Sequence, residues 1–215
     1  ASVTGLTGQA FKDAKQNISD VAQELGQKTA FSSSQAADAL YNLASAGVDV
    51  SSITSDKLIP VLSLASGTQF DLADTTEVVT STLSQFGLQF ESAGRVSDVF
   101  AKSAALSQAS MDKLKYSMAQ VGTIASSAGL SLEDTTAALS KMYDAGMDGS
   151  SAGTGLKGVI ASLMAPTSQA TGVFKSMGLT LSDISPASNK FSDIIATLKE
   201  HGLDSTKAFQ LFGRE

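Results

Sequence analysis

Cysteine and tryptophan are absent from the 215-residue chain, proline occurs three times, histidine once, and aromatic residues make up only 6%. Without cysteine there is no disulfide, no zinc–thiolate site and no cysteine nucleophile. The single histidine, His201, argues against a histidine-based metal site, which needs several imidazoles. The shortage of aromatic residues disfavours a β-sandwich, whose strands want bulky and β-branched side chains. No run of 18 apolar residues occurs. The nearest, Val159–Ala165, has Lys157 on one side and Pro166 on the other, so no membrane-spanning helix is expected. Charge is sparse as well, at 17% of residues against about 25% in a typical domain. The 15 Lys and Arg are scattered singly under a net charge of −6. Specific nucleic-acid binding, which needs clustered cations, is therefore not expected.

What is present is Ala, Ser, Gly and Leu, with 42% hydrophobic residues in all. That supply suits closely packed helices with small residues at their contacts. A surface so poor in charge is weakly defended against association. It fits self-assembly or burial in a larger particle, and it fits a plain serine-rich exterior equally well. The chain starts without Met and ends at Phe212-Gly213-Arg214-Glu215, inside what reads as a continuing helix or turn. It is expected to be a fragment of a longer protein.

One passage occurs twice. Leu40-Tyr41-Asn42-Leu43-Ala44-Ser45-Ala46-Gly47-Val48-Asp49 returns as Leu139-Ser140-Lys141-Met142-Tyr143-Asp144-Ala145-Gly146-Met147-Asp148, at a constant offset of 99 residues. A degenerate copy, Leu83-Ser84-Gln85-Phe86-Gly87-Leu88, lies between them. Each reads as a helix end, a glycine stop and a new helix. Gly47, Gly87 and Gly146 supply the left-handed residue that ends the helix. Asp49 or Ser51/Ser52, and Asp148 or Ser150, are expected to cap the next one by accepting from its free N–H groups. The three glycines, Asp49 and Asp148 are expected to be structural turn residues.

Apolar residues at steps of three and four predict ten or eleven short helices. The spans are about 9–25, 33–46, 56–65, 71–86, 92–106, 110–127, 131–145, 148–164, 167–177, 188–201 and onward from 205, with a short turn of helix after Asp49. In the fifth and sixth, Arg95, Ser97, Lys102, Lys113 and Lys115 fall on the expected solvent sides, and Val96, Phe100, Leu106, Leu114 and Met118 on the apolar sides. Leu179-Thr180-Leu181 is the one strand-like scrap. Such short helices are unstable alone and must stack. The expected fold is all-α: a compact multi-helix domain with repeated helix-Gly-helix hairpins and some solenoid character. Residues 1–26 read as a leading amphipathic helix or connector, and 27–215 as the core domain.

Candidate chemistry is thin. Gly153-Thr154-Gly155-Leu156-Lys157-Gly158 matches G-x-G-x-x-G, but a helix ending at Gly146 precedes it where a dinucleotide site needs a strand. Close helix packing is the better reading, and no cofactor is expected. Asp144 and Asp148 lack the alternating acids and twelfth-position Glu of a calcium loop. They read as helix-end and cap residues, as do Asp71, Asp74, Glu133 and Asp134 in first turns, where acids complement the helix dipole. His201 ends a helix, where a cation is favoured, and has no evident nucleophile or carboxylate partner. No catalytic, cofactor or metal residue is nominated.

Several passages taken in order resemble the core region of tail tape measure proteins from long-tailed phages and prophages. They are Leu40-x-x-Leu43-Ala44-x-Ala46-Gly47, Phe86-Gly87-Leu88 with Ala93-Gly94-Arg95-Val96-Ser97-Asp98-Val99, and Val121-Gly122-Thr123-Ile124-Ala125 with Gly129-Leu130-Ser131-Leu132-Glu133-Asp134-Thr135. Ala145 to Leu156, Leu163-Met164-Ala165-Pro166-Thr167 and the closing Leu211-Phe212-Gly213-Arg214-Glu215 continue the series, so the likeness runs from about Phe31 to the end. No single motif is diagnostic; the order over this length carries the resemblance. It implies a non-enzymatic virion protein, made in the bacterial host, that occupies the tail-tube lumen and sets tail length. It implies contacts with the tail tube protein, assembly chaperones, tail-tip hub proteins and further copies of itself. The family transfers no catalytic residue. The alternative reading is a non-viral helical-repeat adaptor, which the repeated stops would serve as well. A cell-wall-cleaving enzyme is disfavoured because every candidate acid has a capping explanation.

Overall fold

In the computed structural model, which describes residues 5–213, the chain is all helical, with no strand among the described residues. Eleven α-helices follow in order: α1 Gly8–Lys28, α2 Ser33–Ser45, α3 Ser55–Thr68, α4 Leu72–Gln85, α5 Ala93–Leu106, α6 Met111–Ser127, α7 Leu132–Asp144, α8 Gly149–Met164, α9 Ser168–Ser176, α10 Phe191–Glu200 and α11 Ser205–Phe212. Single 3-10 turns at Val50–Ser52 and Phe90–Ser92 precede α3 and α5. Arg214 and Glu215, the end of the last passage quoted above, lie outside the described residues. The chain divides into two compact units, one through Leu114 and one from Lys115.

In the first unit α1 lies along α2, α2 packs on α4, and α3, α4 and α5 pack on one another. Small residues set the spacing. A Cβ on Gly26 of α1 would fall 2.8 Å from the Ser33 backbone nitrogen, so only glycine lets α1 and α2 come this close. Ser32 and Gln35 form a reciprocal capping box at the start of α2, each side chain serving the other's backbone N–H. Leu25, Leu40, Leu43, Leu58, Leu62 and Phe100 are buried in this unit. So are four threonines of α4: Thr75, Thr76 and Thr80 satisfy their hydroxyls locally, whereas the Thr82 hydroxyl has no hydrogen-bond partner. Thr75 donates to the Asp71 carbonyl at 2.7 Å and Thr76 to the Leu72 carbonyl at 2.8 Å. Back-bonding of this kind is what lets a polar side chain enter a helix contact.

In the second unit α7 packs on α8, and α11 on both α8 and α9. Gly153 of α8 meets α6 directly: an added Cβ would stand 2.7 Å from both the Cα and the carbonyl oxygen of Ser117. Beside that crossing the buried hydroxyls of Ser117 and Tyr143 share a 2.5 Å hydrogen bond. Burial pushes the Tyr143 phenol up to about 12, against a smaller downward pull from that bond.

The structure corrects three sequence expectations. Leu179-Thr180-Leu181 is a turn, not a strand: the Thr180 N–H and hydroxyl both donate to Asp183, at 2.8 and 2.7 Å. Ser97 is buried rather than solvent-facing, because its hydroxyl bonds back to the Ala93 carbonyl at 2.9 Å and loses nothing by leaving water. Leu106, expected on the apolar side of its helix, is 82% exposed, because it ends α5 and the chain turns away at Ser107. α3 also runs further than its apolar stripe suggested, to Thr68, with Pro60 inside it.

Candidate functional site: the repeated helix stops

Seven helices end the same way. After α2, Gly47 takes φ +87°; its N–H donates to the Ala44 carbonyl, and the Val48 N–H reaches back to Leu43 at 3.1 Å. This pair of bonds is the Schellman motif, which satisfies carbonyls that the helix end would leave free. The pattern recurs at Gln69 after α3, Gly87 after α4, Gly129 after α6, Gly146 after α7, Gly178 after α9 and Gly202 after α10. The next residue is apolar each time: Val48, Phe70, Leu88, Leu130, Met147, Leu179, Leu203.

The residue after that usually starts the next element. Asp49, Asp71, Ser131, Asp148 and Asp204 each accept a backbone N–H two or three residues on. At Asp148 the Ser151 N–H and hydroxyl both bond the carboxylate at 2.8 Å. Those two bonds, the N–H first, hold its pKa below the ordinary aspartate range. Asp49 is lowered in the same way, by the Ser51 hydroxyl first and then its N–H. Gln89, after Gly87 and Leu88, makes no side-chain cap, and Thr180, after Gly178 and Leu179, donates to Asp183 instead of accepting a backbone N–H.

All five turn residues singled out in the sequence therefore sit in these stops: Gly47, Gly87 and Gly146 at positive φ, Asp49 and Asp148 at the following start. Gly129, Gly178 and Gly202 belong to the same series. The triplet glycine, apolar residue, then Asp, Ser or Thr would have found them in the sequence. Gln69, at φ +53°, carries no such signal. Lys57 links two stops in the first unit: its ammonium donates to the Ser52 carbonyl at 2.8 Å and pairs with Glu91 at 2.6 Å.

The other candidate residues lie within helices or at their ends. Gly153, Gly155 and Gly158 lie inside α8, not in a turn ahead of it. His201 ends α10, with its Nδ1 2.8 Å from the Met177 carbonyl oxygen. No group of three or more potential metal-ligating side chains occurs among the described residues. None of the described helices is long and apolar enough to cross a membrane. An open groove of about 650 Å³ runs between α3 and α5 and is lined by small residues including Ser63, Gly67, Ala101 and Ala105.

Residues 19–213 match the family described as phage-related minor tail protein. The chain is 40% identical over 198 residues to the tape measure protein of Pneumococcus phage Dp-1, covering 92% of this chain and 17% of that protein. It is 30% identical over 162 residues to the probable tape measure protein of Escherichia phage P2, covering 75% of this chain and 20% of the relative. The chain thus spans no more than about a fifth of the length of these relatives. No solved structure matches it.

Proposed function

The chain belongs to the phage-related minor tail protein family, and from that premise we propose that it is a segment of a tail tape measure protein, occupying the tail-tube lumen and contributing to tail length. The observation that carries this reading is the 40% identity, over 92% of the chain, to a protein named for that role. The architecture suits it: many short helices, sparse charge and small contact residues offer helix–helix surfaces along most of the length. Residues 27–215 form the core segment and 1–26 the lead into it. The tail tube protein, the assembly chaperones and the tail-tip hub are its partners, and further copies of itself pack beside it. It is made in the host cytoplasm and ends in the virion tail. Gly47, Asp49, Gly87, Gly146 and Asp148 serve structure, as joints that fix the order and direction of the helices, and no catalytic residue is assigned.

The test is genetic. In-frame deletions and duplications in the parent gene should shorten and lengthen tails in proportion to the residues changed, as measured by electron microscopy. Tails of unchanged length from viable deletions would overturn the reading.

A further inference from the structure

Asp148-Gly149 is the one place in the chain where an aspartate precedes glycine. The other 14 aspartates precede larger residues, and the three asparagines precede Ile18, Leu43 and Lys190. An Asp-Gly pair is open to attack on itself. The glycine nitrogen can bond to the aspartate Cγ and close a cyclic imide, because no glycine side chain stands in the way and the backbone there turns freely.

The two copies of the repeated stop differ at this point. In both, one serine gives its N–H and its hydroxyl to the capping carboxylate: Ser51 to Asp49 at 2.9 and 2.8 Å, and Ser151 to Asp148 at 2.8 Å for each bond. Yet Asp49 is followed by the β-branched, buried Val50, and Asp148 by Gly149. The same clasp therefore covers an unreactive pair in one stop and a reactive pair in the other. Both Asp148 carboxylate oxygens are engaged by Ser151, so the carboxyl group is held across the first turn of α8 and does not rotate onto the Gly149 nitrogen while those bonds last. The same bonds favour the ionised form, and a carboxylate is a poor electrophile until it gains a proton. Asp148 itself is exposed, so water is at hand.

We propose that Asp148-Gly149 is a site of spontaneous isoaspartate formation, closed while the stop between α7 and α8 is capped and reactive when that stop comes apart. The Gly149 nitrogen bonds to Asp148 Cγ; the nitrogen's proton and the hydroxyl of the protonated carboxyl group leave as water. Water then adds back to the imide. Addition at Cγ restores aspartate. Addition at the main-chain carbonyl carbon of Asp148 gives isoaspartate, in which the chain runs through Cβ and Cγ and the free carboxylate sits on Cα. The product has the mass of the original, and no other reactant is needed. The backbone is longer by one carbon and the carboxylate arm shorter by one, so Ser151 loses its partner and the cap is not remade. A chain whose joint has stood open is thereby marked at that joint. The inference rests on the chemistry of the stop alone, so it survives whatever the tail assay returns.

The test is incubation of the full 215-residue chain at neutral pH, folded in buffer and unfolded in guanidinium chloride. Isoaspartate is counted by methyl transfer from a protein isoaspartyl methyltransferase and located by electron-transfer fragmentation. In denaturant it should arise first at residue 148. In the folded chain it should form at least about tenfold more slowly, since attack waits for local opening. Ser151→Ala removes the hydroxyl bond and should speed the folded reaction about fivefold while leaving the denatured rate unchanged. Gly149→Ala, read in denaturant where packing plays no part, should lower the yield at residue 148 about tenfold. If Ser151→Ala fails to fold, the wild-type comparison still decides. Isoaspartate arising first at another residue, equal rates in the folded and unfolded chain, or a folded Ser151→Ala variant that reacts no faster than wild type overturns the proposal.

Discussion

At the scale of single residues, what holds a stop together is a backbone angle and one oxygen. Gly146 sits at φ +90° with open space around it, so the objection to a side chain there is torsional rather than steric. Gly146→Val forces a β-branched residue into a left-handed conformation and should cost about 1–3 kcal/mol, read as a lowered midpoint in chemical denaturation. Asp148→Asn should change stability by less than about 0.5 kcal/mol at neutral pH, because asparagine caps as well as aspartate, whereas Asp148→Ala should cost about 1 kcal/mol. Equal losses in Asp148→Asn and Asp148→Ala would mean that the carboxylate does something other than cap.

Tyr143 makes a different residue-scale case. Its phenol is raised from 10.0 to about 12 by burial, so the folded state holds that proton more tightly than the unfolded chain does. The resulting stability is fully present below pH 10 and disappears as pH climbs from 10 towards 12, a loss of about 2–3 kcal/mol. Tyr143→Phe should remove that alkaline slope while costing about 1 kcal/mol at neutral pH for the lost bond to Ser117. An alkaline unfolding profile identical in the two proteins would refute the assignment.

At the scale of elements, the helices and their stops were readable because both are written locally. A Schellman motif spans six residues and a cap four, so Gly47-Val48-Asp49 and Gly146-Met147-Asp148 announce themselves without any knowledge of the fold. Gln69 was missed because nothing about glutamine signals a left-handed residue; the packing of α3 and α4 imposes it. Ser97 was misplaced for a similar reason, since whether a serine faces water depends on which helix lies over it. The G-x-G-x-x-G string suggested close helix packing or a flexible helix start, yet only the crossing shows which glycine packs. Gly153 has the Ser117 backbone 2.7 Å from where a Cβ would stand. Backbone cannot swing aside as a side chain can. Gly153→Ala should therefore force α6 and α8 apart and cost about 1–3 kcal/mol. Gly158→Ala in the same helix, where nothing lies within 4 Å, should be neutral or stabilising by up to about 1 kcal/mol. Thermal melts of the pair separate packing from helix propensity, and similar melting temperatures would refute the close crossing.

At the scale of the whole molecule, the same caps that punctuate the helices decide how the fold responds to acid. Glu24, Asp49, Glu91, Asp148 and Asp183 all have pKa values held below the ordinary 4.5 for Glu and 3.8 for Asp. The causes are bonds that exist only in the folded chain: Lys28 and Ser55 at Glu24, Lys57 at Glu91, and hydroxyl and backbone N–H donors at the three aspartates. A depressed pKa in the folded state contributes stability that is present above the unfolded value and lost as pH falls through the folded one. The five act in the same direction, so melting temperature should decline steadily from about pH 5 to pH 3. Relief of charge repulsion opposes this, because acid first brings the net −6 towards zero near pH 4.7. With charges this sparse, that relief is the weaker effect, and its mark should be lowered solubility near pH 4.7 rather than a higher melting temperature. Converting Asp49 and Asp148 together to asparagine keeps the caps and removes their titration. The double variant should match wild type at pH 7 and show a flatter slope between pH 5 and pH 3. A slope unchanged by the double substitution would mean that acid acts on this fold through groups other than its helix stops.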